Sequence, residues 1–279
     1  MRGLSFAKGH GTENDFVLVV DRENMQPVDR EQVVRICDRR AGIGGDGLLR
    51  AVLAKHVDGW DGDGDLWFMD YRNADGSIAE MCGNGVRVFV RYLVDEGLAY
   101  GPMVPVATRA GVREAELLPD GRIRVAMGPV VVSPEAVRIV TADGTTYSAR
   151  PVDVGNPHAV SFTDDLAAVW LQTAPDYSTV AFPDGVNAEF VQRLGERHLG
   201  MRVFERGSGE TRSCGTGTVA AAAAAHAELA PSDDPRPAVA EPVTYRVDVL
   251  GGTVEVELGE QAYLTGPAVV VARGAMTIF

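Results

Sequence analysis

Cysteine is scarce in this chain: three residues in 279, at Cys37, Cys82 and Cys214. Three scattered thiols make no disulfide framework, and a reduced, cytoplasmic protein is the expectation. Positive charge is also short. Lys and Arg number 26 against 39 acids, a formal net charge of −13. No basic run is present, so a nucleic-acid partner is not expected. Long hydrophobic runs are absent. Met1–Gly11 lacks the apolar stretch of a signal peptide, and no segment has the length to span a bilayer, so no membrane partner is expected. The sequence holds no CxxC pair, no HExxH and no GKS/T, so neither a metal nor a P-loop site is signalled.

What is present centres on RGSGETRSCGTGTVAAAAAAHAEL, Arg206 to Leu229. A Gly-rich turn places Cys214 and then runs into alanines, the best helix formers. A helix apolar on nearly every face belongs in a protein core. Pro231 and the PSDDPRP segment are expected to end it. Cys214, with the N–H groups of Gly215 and Thr216, therefore sits at a buried helix start, where unpaired donors and the positive dipole end attract anions. A thiol there is expected to have a lowered pKa.

The device occurs twice. Met81-Cys82-Gly83-Asn84-Gly85 leads into a segment with Val86, Phe89, Val90, Leu93 and Val94 at helical spacing, and Gly97 is its expected stop. Two matching Cys-Gly-x-Gly turns, half a chain apart, suggest a duplicated half-domain with helix starts facing across a cleft. Elsewhere Asp29–Arg40 reads as a helix with Val33, Val34, Ile36 and Cys37 inward, Cys37 being a small core residue. AGIGGDGLLR is a weak phosphate-loop signal. KHVDGWDGDGD reads as a solvated hairpin insertion, since its DGDGD lacks the terminal Glu of a calcium loop. GPVVVSPE marks a crossover. The C-terminal stretch VTYRVDVLGGTVEVELGEQAYLTGPAVVVARG alternates like antiparallel hairpins. The expected fold is mixed α/β, largely antiparallel, in two pseudo-symmetric halves, each a curved sheet around a central buried helix. The first half is placed at residues 1–128 plus 267–279, and the second at 129–266.

Two thiols suit one chemical problem. Inverting a carbon that bears hydrogen needs one group to take a proton from one face and another to return one on the opposite face. A group of pKa near the working pH serves both roles. Backbone donors at Gly83, Asn84 and Gly85, and at Gly215 and Thr216, suit an α-carboxylate. That reading is a cofactor-independent racemase or epimerase. Beside it stand core cysteines, a redox pair, and a nucleophilic Cys with His158 as its base. His10, His56, His198 and His226 read as surface or satisfied core residues. Asn14, Asn73, Asn156 and Asn187 read singly as turn residues, and Glu205 with Arg206 as an ion pair capping a turn.

Together, the blocks KGHGTENDFV, YRNADGSIAEMCGNGVRVF, DVGNPH, FPDGVN, ERGSGETRSCGTGT and LTGPAVVV closely resemble the diaminopimelate epimerase family, in the family's order and over nearly the whole chain. The resemblance implies two α/β halves, each wrapping a central helix. It implies a pyridoxal-phosphate-independent interconversion of LL- and meso-diaminopimelate in lysine and peptidoglycan biosynthesis, a homodimer, an amino acid as the bound small molecule, and no cofactor. It makes Cys214 the proton acceptor and Cys82 the donor in the LL-to-meso direction. Gly83-Asn84 and Gly215-Thr216 would hold the α-carboxylate. Asn14, Asn73, Asn156, Asn187 and Arg206 would hold the distal groups, with His158 and Glu205 beside the thiols. One departure is Gly47, where many members carry Gln in a GxxDQ segment. The alternatives are a racemase for another amino acid with the same two thiols, and a non-catalytic amino-acid-binding protein.

Overall fold

The computed structural model describes residues 3–229 and 241–277. Nineteen strands and three α-helices are present among the described residues: α1 (Arg30–Cys37), α2 (Gly83–Asp95) and α3 (Gly215–Leu229). The fold is mixed α/β and dominated by sheet. No described helix is long and apolar enough to cross a membrane.

The chain divides into two compact units, Met1–Val125 with Gly266–Phe279, and Ala126–Thr265. The crossings fall within the strand Ile123–Gly128 and at the end of the strand Ala262–Gly266. They lie one to three residues from the positions expected at 128/129 and 266/267.

In the first unit, Leu4–Gly11 pairs antiparallel with Asn14–Val20, which runs parallel to Gly47–Leu53. Gly47–Leu53 is antiparallel to Trp67–Asn73, and that strand is parallel to Met103–Thr108. Gly111–Leu117 and Ile123–Gly128 follow antiparallel. Val269–Met276 adds to the outer side of Leu4–Gly11. The second unit repeats the same series of polarities. Thr146–Asp153 is antiparallel to Pro157–Phe162, which is parallel to Asn187–Gly195. Asn187–Gly195 is antiparallel to His198–Glu205, which is parallel to Val243–Val249. Gly252–Leu258 and Ala262–Gly266 close the series antiparallel. In both series the long helix joins the fourth strand to the fifth, and the sheet packs around it.

The two long helices form for different reasons. On α2, Val86, Val88, Phe89, Val90 and Leu93 are fully buried. It ends as expected at Gly97, which adopts φ +66°. There the Leu98 N–H reaches Leu93 C=O and the Gly97 N–H reaches Val94 C=O, satisfying the last carbonyls. On α3, Ala220 to Ala225 are all buried: methyl side chains let the surrounding strands approach every face of one helix. The stop expected at Pro231 lies outside the described residues. α1 is shorter than the expected Asp29–Arg40. Asp29 and Gln32 form a capping box, and the helix ends at Cys37. Val33, Ile36 and Cys37 are buried, but Val34 is exposed, because the first three share one face of the helix and Val34 is turned past its edge. Residues 55–65 form a solvated connection, as expected, closing the hairpin of the antiparallel strands Gly47–Leu53 and Trp67–Asn73. It is anchored by the Trp60 ring edge-on to Phe68, with centroids 5.7 Å apart.

Candidate active site

The register of the two strand series places the candidate residues in equivalent positions. Phe16 stands beside Gly47 in the first unit, as His158 stands beside Asn187 in the second. Asn14 therefore corresponds to Asn156, and Leu49 to Glu189. Gly47 faces Asn73 across the next ladder. Glu189 faces Val203, which puts Glu205 in the place of Asn73. Nine residues later in each series comes the thiol, Cys82 or Cys214.

In the first unit, Cys82 is the N-cap of α2. Its extended backbone turns Sγ back to accept the Gly85 N–H at 3.4 Å. The first intrahelical bond, Val86 N–H to Cys82 C=O, follows the N–H groups of Gly83 and Asn84. Cys82 Sγ lies 3.6 Å from Asn14 Oδ1, which also accepts from Asn84 Nδ2 at 3.2 Å. Asn14 is held by its other end, donating from Nδ2 to Asp46 Oδ2 at 2.8 Å. It is delivered by a two-residue hairpin turn in which Thr12 and Glu13 both have positive φ. Arg87, fully buried on α2, donates to Thr12 Oγ1 and so holds that turn from below. Burial pushes the Arg87 guanidinium down to about 10, against the opposing influence of Cys82. Asn73 donates to Ser77 Oγ at 2.9 Å. At Gly47 a Cβ would lie 2.5 Å from the Arg72 carbonyl oxygen.

In the second unit, Cys214 is buried at the start of α3. Its Sγ accepts the Gly217 N–H at 3.4 Å and lies 3.6 Å from Thr216 Oγ1. Asn156 donates from Nδ2 to Thr216 Oγ1 at 3.4 Å, which turns its Oδ1 to His158 Nε2 at 3.0 Å. His158 Nδ1 lies 2.7 Å from Glu189 Oε1, both side chains being inaccessible to solvent. A continuous line of polar contacts thus runs from Glu189 to the thiol. Asn187 Oδ1 accepts the Arg206 N–H at 2.9 Å, while Arg206 is exposed and donates from Nη1 to Asp184 C=O at 2.6 Å. Thr211 donates its hydroxyl to the Glu205 carboxylate.

The expectation of a lowered thiol pKa fails at Cys214. Burial pushes it well above the ordinary thiol value, and the charges of Glu205 and Glu189 push the same way; the Gly217 N–H and the Thr216 hydroxyl pull down but do not compensate. Cys37 is inert core, its thiol pushed by burial up to about 12.

Within each unit the structure gathers the expected residues at one helix start: Asn14, Cys82, Gly83 and Asn84 in the first; Asn156, His158, Glu205, Cys214, Gly215 and Thr216 in the second. Asn73 ends the strand beside Gly47, and Asn187 and Arg206 adjoin through their own bond. Sequence reading missed Glu189, Asp46 and Arg87. Glu189 did leave a signal, a lone acid inside the apolar run Ala188–Val191.

A family model described as diaminopimelate epimerase matches residues 6–133 and 151–271. The chain belongs to the diaminopimelate epimerase family. That is a family of isomerases, and its members align with this chain end to end. The diaminopimelate epimerase of Streptomyces coelicolor is 48% identical, over 97% of this chain and 94% of its own. That of Corynebacterium glutamicum is 45% identical, over 99% of both chains. Solved structures show the same fold in more distant proteins. A hydroxyproline epimerase from Agrobacterium vitis superposes with a TM-score of 0.70 at 15% identity, over 99% of this chain and 92% of its own. A PhzF-family phenazine biosynthesis protein from Bacillus anthracis gives 0.69 at 15% identity, over the full length of both.

Proposed function

We propose that this chain interconverts LL- and meso-diaminopimelate, with Cys82 and Cys214 as the two acid/bases. The observation that carries the reading is the repeated helix start: each unit ends its fourth strand nine residues before a cysteine whose Sγ accepts the N–H three residues on. Epimerisation by this route asks for one acid/base on each face of the α-carbon, and each unit supplies one. In the LL-to-meso direction the Cys214 thiolate takes the α-proton and becomes a thiol. The electron pair left by the C–H bond spreads into the α-carboxylate. The Cys82 thiol then gives its proton to the opposite face and is left as thiolate. The reverse reaction exchanges the roles.

The first-turn N–H groups of Gly83, Asn84, Gly215 and Thr216 hold the α-carboxylate and the charge that develops on it. Burial and two neighbouring carboxylates make the Cys214 thiolate, once formed, a strong base. The substrate's α-ammonium, bound beside Glu205 and His158, supplies the positive charge this thiol lacks. The distal amino and carboxylate groups fall to Asn14, Asn73, Asn156, Asn187 and Arg206, whose planar guanidinium suits a carboxylate. Gly47 contributes no side chain to this recognition.

A substrate panel tests the proposal. Purified protein in reducing buffer is given LL-diaminopimelate, meso-diaminopimelate, L-lysine, L-glutamate and L-proline, and the stereoisomers are separated chirally. Turnover of both diaminopimelate isomers to the same final ratio, with the other amino acids at least about a hundredfold slower, is expected. Faster racemisation of a single-centre amino acid contradicts it, as does no turnover of any substrate.

A further inference from the structure

The second unit carries a buried acid that its counterpart in the first unit lacks. Below Cys82, a Cβ on Gly85 would meet Leu49 and Phe16, each at 3.6 Å, so that helix start rests on hydrocarbon. The equivalent glycine, Gly217, meets Glu189, with a built Cβ only 2.6 Å from Oε1. By the strand register, Phe16 and Leu49 correspond to His158 and Glu189. One scaffold thus builds the same junction with an apolar pair and with a Glu–His pair, so packing alone does not call for the polar one.

The polar pair is costly. Glu189 is wholly buried, and its Oε2 meets no hydrogen-bond partner among the described residues. Burial pushes its carboxyl up, against the pull of His158. The hydrogen-bond pattern fixes the protons. Asn156 donates to Thr216, so its Oδ1 faces His158 and Nε2 must carry a hydrogen. A second proton then lies between Nδ1 and Glu189 Oε1, whichever atom owns it.

We propose that Glu189 is a positioning residue for the Cys214 side of the reaction. It holds His158 through Nδ1 with Nε2–H directed at Asn156, which keeps Asn156 on Thr216 beside the thiol. The inference rests on the two-thiol reading above, deepening it by naming the group that orients its polar shell. Glu189 itself touches neither substrate nor Sγ. Without it the ring is free to take the other tautomer, Nε2 then becomes an acceptor, and the Asn156 amide turns away from Thr216.

Three variants test this: Glu189→Gln, Glu189→Leu, and the double His158→Phe/Glu189→Leu, which copies the Phe16–Leu49 pair. Folding is followed by circular dichroism and melting. Steady-state kinetics with both diaminopimelate isomers are measured across pH, and the His158 imidazole is followed by 15N-resolved NMR. Expected are folded proteins in which kcat falls at least about tenfold while KM moves little. The pH profile of kcat should shift in both single variants, and the downfield Nδ1–H resonance of wild type should vanish in Glu189→Leu. The double variant should be folded and no more active than Glu189→Leu. Wild-type kcat and pH profile in any folded variant overturn the proposal, as does activity lost only in proportion to folded protein. If Glu189→Leu does not fold, Glu189→Gln decides by its kcat and its ring resonance. The NMR readout needs no turnover, so it still tests Glu189 if the wild type proves inactive on diaminopimelate.

Discussion

The two helix starts share a backbone and differ in what lies beneath it. Both sit between the fourth and fifth strands of the same series, and both bend a cysteine sulfur onto the N–H three residues on. Under Cys82 lie Phe16 and Leu49, with buried Arg87 on the same helix and an asparagine against the sulfur. Under Cys214 lie His158 and Glu189, with Glu205 adding a second negative charge. The backbone sets where the sulfur is; the neighbours set how tightly it holds a proton. The two thiols proposed to trade roles as acid and base thus stand in different surroundings.

The largest effect should come from removing either sulfur. Cys82→Ala and Cys214→Ala are each expected to abolish net epimerisation, a loss of at least about 10²–10⁴ in kcat. They should differ in what survives. With only Cys214 left, the LL isomer still exchanges its α-hydrogen with solvent slowly; with only Cys82 left, the D-centre of the meso isomer does. Proton NMR of recovered substrate in D₂O reads this. The same isomer exchanging in both variants would break the assignment of one thiol to each face.

Arg206→Ala comes next. On the proposed role it removes a charge-assisted contact to the distal carboxylate, worth about 1.5–3 kcal/mol, so kcat/KM for diaminopimelate should fall by at least about tenfold. Wild-type constants in this variant would return Arg206 to the structural role of holding the Asp184 carbonyl.

How much of this was legible beforehand differs between the units in the same way the chemistry does. Glycines flanking a cysteine announce both helix starts, because a sharp turn into a buried helix leaves a local mark. The alanine run announces a buried helix for the same reason. Glu189 and Asp46 act on residues 31 or 32 positions away, and only strand register brings them there. The pKa of Cys214 was misjudged because the helix start is local, whereas the burial and the two carboxylates that oppose it are not. Val34 was misplaced because helical spacing does not say how wide the sheet beneath a short helix is.

Glycine substitutions sharpen the comparison on a smaller scale. Gly85→Ala meets its neighbours at 3.4–3.6 Å, ordinary contact, so stability should change by less than about 1 kcal/mol. Gly217→Ala drives a methyl against Glu189, which is pinned to His158 at 2.7 Å and cannot swing aside. It should destabilise by about 1–3 kcal/mol, read from urea midpoints at unchanged slope. Equal effects in the two variants would mean that the junctions do not differ as described.

The smallest effect is one of order. With iodoacetamide at pH 8, Cys82, half-buried, should be labelled before Cys214 and Cys37, both buried with raised pKa values. Peptide mapping over time checks it, and prior labelling of Cys214 would contradict the burial and raised pKa of that thiol.

The central claim is the proposal that Cys82 and Cys214 are separate acid/bases for the two faces of a single carbon. Its most direct test is the early reaction in D₂O, started separately from LL- and from meso-diaminopimelate and stopped below one-tenth conversion. Both directions should give product that carries one deuterium at the inverted carbon, while recovered substrate carries none, because the thiol that takes the proton is not the thiol that returns one. Protium retained in the product, or deuterium appearing in unreacted substrate as fast as in product, would mean that one group serves both faces.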